Sequence, residues 1–596
     1  MEKIETHEYD LIVIGAGGAG LRAAIEASAQ GVSVGLVCKS LLGKAHTVMA
    51  EGGIAAALAS VDPEDNWQTH FRDTMRGGKM LNQWEMARVH AQDSPDRVRE
   101  LEEWGALFDR TPEGGILQRS FGGHRYRRLA HVGDRTGLEM IRTLQDRGVH
   151  LGIDVYMECT ITHLFKDGDR ISGALGYWRE SGRFVLYKAK AVVVATGGIG
   201  MAYKVTSNSW EYTADGMALA YRAGAELIDM EFVQFHPTGM IWPPGVMGIL
   251  VTEGVRGDGG LLKNNKGERF MFNYIPDMFR SETAETEEEV NRWLAGDKSA
   301  RRTPDLLTRD VVARAILNEV KEGRGSEHGG AYLDISHKPA EYVKRKLPSM
   351  YMQFMELADV DITQQAMEVG PTTHYIMGGV RVEGKTTAAT VPGLFAAGEA
   401  AGGLHGSNRL GGNSLSDLLV FGRLAGLAAA GYAKDLSTAP TVDSEEVDRA
   451  AAEVLAPFER PDGEDPFQIH RELRDHMQDN VGIIRDAEGL ERGLEGLRGF
   501  KERVDRVRAT GSRLFNPGWH LCADLKNMIE VCEAIALSAL RREESRGAHT
   551  RADYPESTEE QGRVNTVIKL EGGEMKIDSV PLPEMPDELK KMFEEN

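Results

Sequence analysis

Cysteine is scarce in this chain, with four among 596 residues: Cys38, Cys159, Cys522 and Cys532. They are widely separated and no C-x-x-C pair occurs, which excludes an iron–sulfur cluster or a zinc ribbon built from this chain alone. So few cysteines also fit a reducing compartment, where disulfide frameworks are rare.

Long apolar runs are lacking as well. A membrane helix needs about 20 apolar residues, and the nearest approach, 415–433, is interrupted by Asp417 and Arg423. The N-terminal sequence M-E-K-I-E-T-H-E-Y-D has neither the basic start nor the apolar core of a secretory signal. We therefore expect a chain that is soluble by itself and reaches a membrane only through a partner.

An excess of positive charge is the third absence. The formal net charge is −21, whereas nucleic-acid binders show a basic footprint, so nucleic acid is disfavoured as a partner. Neither the G-x-S-x-G turn of hydrolases nor the G-x-x-x-x-G-K loop of nucleotide triphosphatases is present. An acidic total still leaves room for a local cationic pocket that binds a small anion.

Glycine is abundant, and its sharpest cluster follows the first strand. Y-D-L-I-V-I (9–14) reads as a buried strand, G-A-G-G-A-G follows, a helix ends at Gly31, and V-S-V-G-L-V-C is a second strand. Gly15 allows the tight turn, Gly17 lets the backbone approach a pyrophosphate, and Gly20 lets helix pack on strand. A glycine-rich turn without a ligand is the alternative. The strand–turn–helix context favours dinucleotide binding.

Two later segments return to the same kind of fold. K-A-K-A-V-V-V-A-T-G-G (188–198) and V-P-G-L-F-A-A-G-E-A-A-G-G (391–403) each read as a buried strand that runs into a glycine turn. Glu399 lies just past the second strand, where open α/β sheets bind ligands. The usual acidic residue for the ribose is missing after the second strand of the first unit, which reads Cys38–Ser40.

These patterns predict an α/β fold with a discontinuous Rossmann-like domain, an inserted α+β capping domain, a helical bundle and a small C-terminal domain. The predicted ranges are 1–240 with 356–440 for the dinucleotide domain, 241–355 for the capping domain, 441–550 for the helical domain and 551–596 for the C-terminal segment. The insert is charged and irregular at 281–302, and V-N-T-V-I-K-L-E-G-G (564–573) predicts a strand and turn.

Several polar residues occur in runs that otherwise favour burial or tight turns. They are His236 and Thr238 around a proline turn, Thr252, Glu253 and Arg256 in a glycine-rich loop, Arg309 and Asp310 at a helix start, His374, and Arg409. Each alone is more readily a helix cap, a core histidine or a solvated arginine. Together they show no metal-ligand spacing, and arginine forks bind carboxylates bidentately. The set suggests recognition of a small dianion beside a flavin.

At this point the chain resembles a known family. G-A-G-G-A-G, H-T-V-M-A-E-G-G, Q-F-H-P-T-G, T-E-G-V-R-G-D-G-G, R-D-V-V-A-R, H-Y-I-M-G-G, G-L-F-A-A-G-E, S-N-R-L-G-G-N-S-L and E-S-R-G-A-H-T-R-A-D-Y-P occur between about residues 8 and 556. They follow the order seen in flavoprotein subunits of succinate dehydrogenase and fumarate reductase. The resemblance implies an FAD enzyme that interconverts succinate and fumarate.

The resemblance also implies site residues. His46 corresponds to the histidine that bonds covalently to the 8α-methyl of FAD, and Glu399 takes over the missing ribose contact. The full set of implied FAD contacts is Gly15, Ala16, Gly17, Gly18, Ala19, Gly20, Lys39, Ser40, His46, Thr47, Gly52, Gly53, Asp215, Glu399, Ser414 and Leu415. No metal site is implied in this chain.

For catalysis, the resemblance implies that Arg309 exchanges a proton with the dicarboxylate through a relay of Glu253 and Arg256. A free guanidinium has a pKa above about 12 and is a poor base, so burial and the relay must help. The implied dicarboxylate contacts are His236, Thr252, His374 and Arg409, with Phe121 lining the pocket.

Three features depart from many relatives. Val255 stands where they have cysteine, so thiol reagents should spare this enzyme. Glu51 is the residue of several quinol-linked fumarate reducers, whereas D-N-W (65–67) resembles succinate oxidisers, so neither decides direction. The segment 275–303 is longer than usual.

The leading interpretation is therefore the flavoprotein subunit of a membrane-bound succinate:quinone oxidoreductase. Its electrons require an iron–sulfur subunit and a cytochrome b-type membrane anchor subunit, which would hold it peripherally on the cytoplasmic side of the membrane. The rivals are a fumarate reductase running in reverse, a membrane-free fumarate reductase, L-aspartate oxidase (which typically has serine at the position of His46) and a non-enzymatic flavin carrier. Direction, quinone type, haem content, anchor number and oligomeric state are left open.

Overall fold

The structure, a computed structural model, describes residues 4–297 and 299–594. Its strands are β1 (Glu5–Ile14), β2 (Val34–Val37), β3 (Ile54–Ala55), β4 (Gln118–Arg119), β5 (Leu129–Ala130), β6 (Asp154–Tyr156), β7 (Cys159–Asp167), β8 (Arg170–Trp178), β9 (Phe184–Val194), β10 (Leu227–Ile228), β11 (Val233–Met240), β12 (Leu261–Lys263), β13 (Ala331–Asp334), β14 (Met367–Ile376), β15 (Gly379–Arg381), β16 (Leu394–Ala396), β17 (Ala401–Gly402), β18 (Ile484–Arg485), β19 (Thr550–Arg551), β20 (Val564–Glu571) and β21 (Glu574–Pro581).

The helices follow in the same order along the chain. They are α1 (Gly18–Ala29), α2 (Trp67–Gly77), α3 (Trp84–Glu103), α4 (Thr136–His150), α5 (Asp215–Arg222), α6 (Gly254–Gly257), α7 (Glu287–Leu294), α8 (Arg309–Lys321), α9 (Ala340–Lys346), α10 (Pro348–Ala358), α11 (Asn413–Asp435), α12 (Ser444–Glu459), α13 (Pro466–Asn480), α14 (Ala487–Val504), α15 (Pro517–Arg541) and α16 (Asp587–Lys590).

The central sheet has the strand order β6–β2–β1–β9–β8–β7, with β16 also paired to β9. β1, β2, β6, β9 and β16 are parallel, and β7 and β8 add an antiparallel extension. Strands far apart in sequence therefore meet in one sheet, and the Rossmann-like domain is discontinuous as predicted.

Alternation along β1 divides the core into two layers. Leu11 and Val13 pack with α1, α3, α4 and α11, whereas Ile12 and Ile14 pack on the other face with α5, α13, α14 and α15. Successive side chains of a strand point to opposite faces, so a strand buried on both faces is apolar throughout. This accounts for the unbroken L-I-V-I run.

Helix α11 is long and apolar enough to span a membrane by length and composition. In the structure it packs against α1, and 61% of its apolar window is buried. It is thus a core helix of the Rossmann-like domain.

The capping domain has a sheet of order β11–β14–β13–β12 and a hydrophobic core of its own. Two of its strands, β11 and β14, lie outside the predicted range of 241–355, because they connect the two domains. β11 also continues through Pro237, with a register shift between His236 and Gly239, where the sequence pattern predicted a turn. Helix α8 begins at Arg309, as predicted.

The C-terminal part contains the helical bundle α12–α15 and the hairpin β20–β21. The hairpin includes the predicted strand at 564–571 and adds to a sheet with β10, β15 and β17. The described residues of the segment 275–303 include a short 3-10 turn, Asp277–Glu282, and α7. Within it, Glu282 pairs with Arg76 at 3.1 Å, and Arg302 donates to the carbonyl of His124 at 2.6 Å.

Candidate active site

A cavity of about 1320 Å³ opens at the carboxyl ends of β1, β2, β9 and β16. The turn 15–19 and the first turn of α1 form part of its wall. A helix N-terminus presents unpaired N–H groups and a favourable dipole to an anion, so this wall suits a pyrophosphate.

Gly15 and Gly20 are each required in the turn for a different structural reason. Gly15 has φ +108°, and a Cβ there would lie 2.2 Å from the carbonyl oxygen of Ala195. A Cβ on Gly20 would lie 1.8 Å from the carbonyl oxygen of Gly15. Gly20 therefore permits helix–strand packing and lies outside the cavity wall, although the resemblance implies an FAD contact for it.

Lys39 is one of the residues that follow β2, where the usual acidic residue is missing. Its Nζ donates to Asp215 at 3.0 Å and to Asp524 at 2.7 Å, and it lines the cavity with Asp215. Burial alone would lower the pKa of Lys39, but the two carboxylates outweigh it and hold that pKa above its ordinary value. Lys39 and Asp215, predicted as separate contacts, thus form one buried charge cluster.

Glu399 lies on the opposite wall, just past β16. Its Oε1 accepts from the N–H of Ile376 at 3.0 Å. Burial raises the pKa of Glu399 to about 8, so its carboxyl is mostly neutral at pH 7 and can donate as well as accept. Burial and the neighbouring Glu399 also raise the pKa of the Tyr212 hydroxyl, which lines the same cavity.

His46 begins a short 3-10 turn in the cavity wall. Its Nδ1 accepts from the N–H of Ser209 at 3.2 Å, its Nε2 lies 3.2 Å from Nδ2 of Asn208, and the ring of Tyr212 packs edge-on at 4.5 Å. Burial lowers the pKa of His46 to about 4, so the imidazole is neutral. A neutral imidazole keeps a lone pair for bond formation.

The residues present fit FAD. The helix N-terminus suits its pyrophosphate, and the turn positions are ones that a Cβ would fill. Of the predicted contacts, those in the wall are Gly15, Ala16, Gly17, Gly18, Ala19, Lys39, Ser40, His46, Thr47, Asp215, Glu399, Ser414 and Leu415. Gly52 and Gly53 lie outside the wall, because a Cβ at Gly52 would meet the ring of Phe121 and Gly53 packs on the carbonyl of Ala130.

Two arginines come together beside this cavity. Arg409 lines it and donates through NH1 to Ser414 Oγ at 2.7 Å. The Oε1 of Gln234 accepts from Arg409 NH2 at 3.1 Å and from Arg309 NH1 at 3.2 Å. Gln234 thus joins two buried guanidinium groups that would otherwise repel each other.

A charged line runs from Arg309 away from the cavity. Its Nε donates to Glu253 Oε2 at 2.9 Å, and Arg256 NH2 lies 3.9 Å from the same oxygen. Burial would raise the pKa of Glu253, but Arg309 and Arg256 outweigh it and hold that pKa below its ordinary value. Burial lowers the pKa of Arg256. The three predicted relay residues are therefore in sequence, with a carboxylate between two cations.

The predicted dicarboxylate contacts surround these arginines. The rings of His236 and His374 lie 5.1 Å apart, and His374 lines the cavity. Burial and nearby arginines lower the pKa of both imidazoles well below the ordinary value, so both are neutral donors or acceptors. Thr252 is buried next to Glu253 in the chain, and its Oγ1 accepts from the N–H of Gly254.

Phe121 lies beside the cluster of Arg309 and Glu253. Its ring packs where a Cβ of Gly52 or of Gly411 would lie, and a Cβ on Gly411 would be equally close to Arg309 and Glu253. Glu253 Oε1 also accepts from the N–H of Gly122 at 2.6 Å. The predicted clamp, relay and aromatic residues thus form one buried cluster.

Sequence reasoning missed Gln234, Tyr212 and Asp524. Gln234 had a usable signal, because it lies two residues before His236 in the same Q-F-H-P-T-G motif. Tyr212 and Asp524 belong to no motif, and only the tertiary fold brings them to the cavity. In the described residues, no group of three or more His, Cys, Asp or Glu side chains is arranged to hold a metal ion.

With this geometry known, comparisons with known proteins place the chain. A profile described as "FAD binding domain" matches residues 10–415, and one described as "Fumarate reductase flavoprotein C-term" matches 470–591. The chain belongs to the succinate dehydrogenase/fumarate reductase flavoprotein family. Within it, this family member is an FAD-binding oxidoreductase.

The relatives of this chain include proteins named as fumarate reductases and proteins named as succinate dehydrogenases. The chain is 43% identical to a fumarate reductase (CoM/CoB) polypeptide of Methanothermobacter marburgensis, covering 93% of this chain and 96% of that one. It is 38% identical to the succinate dehydrogenase flavoprotein subunit of Coxiella burnetii, covering 96% of each. It also matches the solved structure of Mycobacterium smegmatis Sdh1 in complex with UQ1, with 57% identity and a TM-score of 0.84. The match covers 98% of this chain and 95% of that one.

Proposed function

We propose that this family member oxidises succinate to fumarate with a covalently bound FAD. When bound, FAD accepts the hydride that succinate loses. The observation that carries the proposal is the cluster of Arg309, Glu253 and Arg256, joined through Gln234 to the cavity-lining Arg409.

The residues support this chemistry in two ways. Arg409, His374, His236 and Thr252 would hold the two carboxylates, fixing the carbon–carbon bond against the flavin, which is catalysis by positioning. Arg309 would give its Nε proton to Glu253 as it takes the proton that succinate loses, so the guanidinium charge is unchanged by the transfer. The two arginines hold the pKa of Glu253 below its ordinary value, so that this acceptor is ionised in the resting enzyme. Arg256 is the outer member of the relay.

The test is a dye-linked assay of the purified holoenzyme, run with Arg309→Ala and the wild type. We expect the variant to lose turnover while its FAD content is unchanged. Lys321→Ala, at the far end of the same helix, is the matched control and should be unaffected. Substantial succinate oxidation by Arg309→Ala would overturn the assignment.

The covalent bond is proposed through His46. Its neutral imidazole lines the cavity, where the N–H of Ser209 at Nδ1 and the side-chain amide of Asn208 at Nε2 orient the ring. Acid precipitation checks this directly. The flavin should stay with the wild-type protein and be released to the supernatant from His46→Ser, whereas release from the wild type would refute the bond.

Fumarate reduction is the second candidate. Burial and the neighbouring Asp134 raise the pKa of Glu51 well above its ordinary value, so this carboxyl is neutral and could hold a proton near the site. The same dye-linked assay, run from fumarate with a reduced dye, compares the two directions. A fumarate rate above the succinate rate would reverse the proposed physiological direction. L-aspartate oxidation is disfavoured by His46.

Electrons must then leave the flavin through another chain. The four cysteines are buried and separate, and no metal-ligand group occurs in the part of the chain that the structure describes. We propose an iron–sulfur subunit as the acceptor and a cytochrome b-type membrane anchor that passes electrons to quinone. The chain would then lie peripherally on the cytoplasmic side of the membrane. Purification of the tagged chain from solubilised membranes, with iron analysis and a quinone assay, tests this arrangement.

A further inference from the structure

Three buried histidines lie against the first turns of α11, outside the cavity wall. His124 Nε2 is 2.8 Å from the carbonyl oxygen of Gly411, His70 Nε2 is 2.9 Å from Asn413 Oδ1, and His90 Nε2 is 2.8 Å from Ser416 Oγ. The rings of His70 and His90 are 5.1 Å apart, and those of His70 and His124 are 5.8 Å apart. We call these three residues the histidine cradle.

Their partners determine the protonation of each ring. A carbonyl oxygen and an amide oxygen only accept, so His124 and His70 must carry a proton on Nε2 and donate it. Ser416 already donates its hydroxyl to a backbone carbonyl within α11, so it accepts from His90. Burial lowers the pKa of all three imidazoles, which are neutral donors at ordinary pH.

The histidine cradle contacts the segment 411–416, which lies beside the arginines of the candidate active site. Arg409 and Ser414, which bond to each other, line the cavity. A Cβ on Gly411 would lie 2.5 Å from the Phe121 ring and 3.1 Å from both Arg309 NH2 and Glu253 Oε2. The side chains of Phe121, Arg309 and Glu253 therefore pack directly against the backbone at Gly411. His124 bonds to the carbonyl oxygen of the same residue. A shift of this backbone would move Arg409 relative to Arg309.

We propose that the histidine cradle positions the start of α11, and so sets the spacing of Arg409 and Arg309 that a dicarboxylate needs. The cradle touches neither cavity nor relay, so these are positioning residues. The inference rests on the proposed dicarboxylate function.

The test uses His124, whose contact is closest to the arginines. In His124→Leu the Gly411 carbonyl loses its donor, whereas in His124→Gln the amide nitrogen reaches about as far as Nε2 and can still donate. Arg128, which also contacts His124, keeps its pairs with Asp65 and Asp73 in both variants. The probe is malonate, a dicarboxylate that cannot be dehydrogenated, titrated against the holoenzyme by the change in flavin absorbance.

We expect His124→Leu to weaken malonate binding and to raise KM for succinate about tenfold, with smaller effects on kcat, and His124→Gln to stay within about twofold of the wild type. His163→Ala is the control, since its ring bonds to Thr162 and pairs with Glu453 on the edge strand β7, away from the arginines. A His124→Leu protein that melts earlier but binds malonate normally would overturn the proposal. A wild type with no malonate response would instead refute the dicarboxylate function itself.

Discussion

Replacing Gln234 tests whether the two arginines work as one unit. Its Oε1 accepts from Arg309 and Arg409, and its Nε2 donates to the Asn408 side chain and the Arg409 carbonyl. Leucine has a similar size but no polar atoms, so Gln234→Leu removes all four bonds and leaves two cations without a shared acceptor.

The magnitude follows from the two charged bonds. A hydrogen bond to a charged group contributes about 1.5–3 kcal/mol, so losing two should cost at least about 3 kcal/mol. At about 1.4 kcal/mol per factor of ten, kcat/KM should fall about a hundredfold or more. Gln234→Glu should act differently, because its carboxylate would compete with the substrate for both arginines and raise KM.

Steady-state assays of the holoenzyme in both directions measure this, with FAD content as the check on integrity. Gln468→Leu is the matched control, because the Gln468 side chain donates to Glu472 at the surface of α13. If Gln234→Leu retains more than a third of wild-type kcat/KM with full FAD content, the arginines do not depend on their shared acceptor.

Further predictions concern charge and burial. Lys39→Met leaves Asp215 and Asp524 without their cation, and breaking such a buried ion pair costs about 3–5 kcal/mol. The FAD content of the purified variant should therefore fall. The double variant Lys39→Met/Asp524→Asn, which also removes one of the two carboxylates, should recover part of that FAD content. Glu399 has its pKa raised to about 8 by burial, so the apoprotein binds more protons than the unfolded chain between about pH 4.5 and 8. Its stability should therefore fall by about 1.4 kcal/mol per pH unit over that window, and urea titrations of Glu399→Gln should lack this slope; equal slopes would contradict the neutral carboxyl. The thiol reagent N-ethylmaleimide should not inhibit the enzyme, since all four cysteines are buried. Burial also raises the pKa of the Cys38, Cys159 and Cys522 thiols to about 12, so little reactive thiolate is present. Rapid inactivation by the reagent would show an accessible thiol.

Local sequence patterns determined much of the architecture. The apolar run 11–14 and the turn Gly15–Gly20 predict a strand, a tight turn and a helix, because each depends only on burial on both faces and on backbone space. The start of α8 at Arg309 and the strand at 564–571 follow from the same short-range rules. Motif resemblance then named the residues that the structure gathers around the cavity.

Tertiary structure decided what lies between those motifs. Lys39 pairs with Asp524 across 485 positions of the chain, and Gln234 meets Arg409 across 175. No local pattern encodes such contacts, since they depend on which strand ends share a sheet edge. For the same reason the sequence could not show that Gly52 packs on Phe121, or that three histidines from separate segments converge on one helix. The sequence by itself specified the elements and the reactive groups; the packing of the sheet and of α11 decided which of those groups meet.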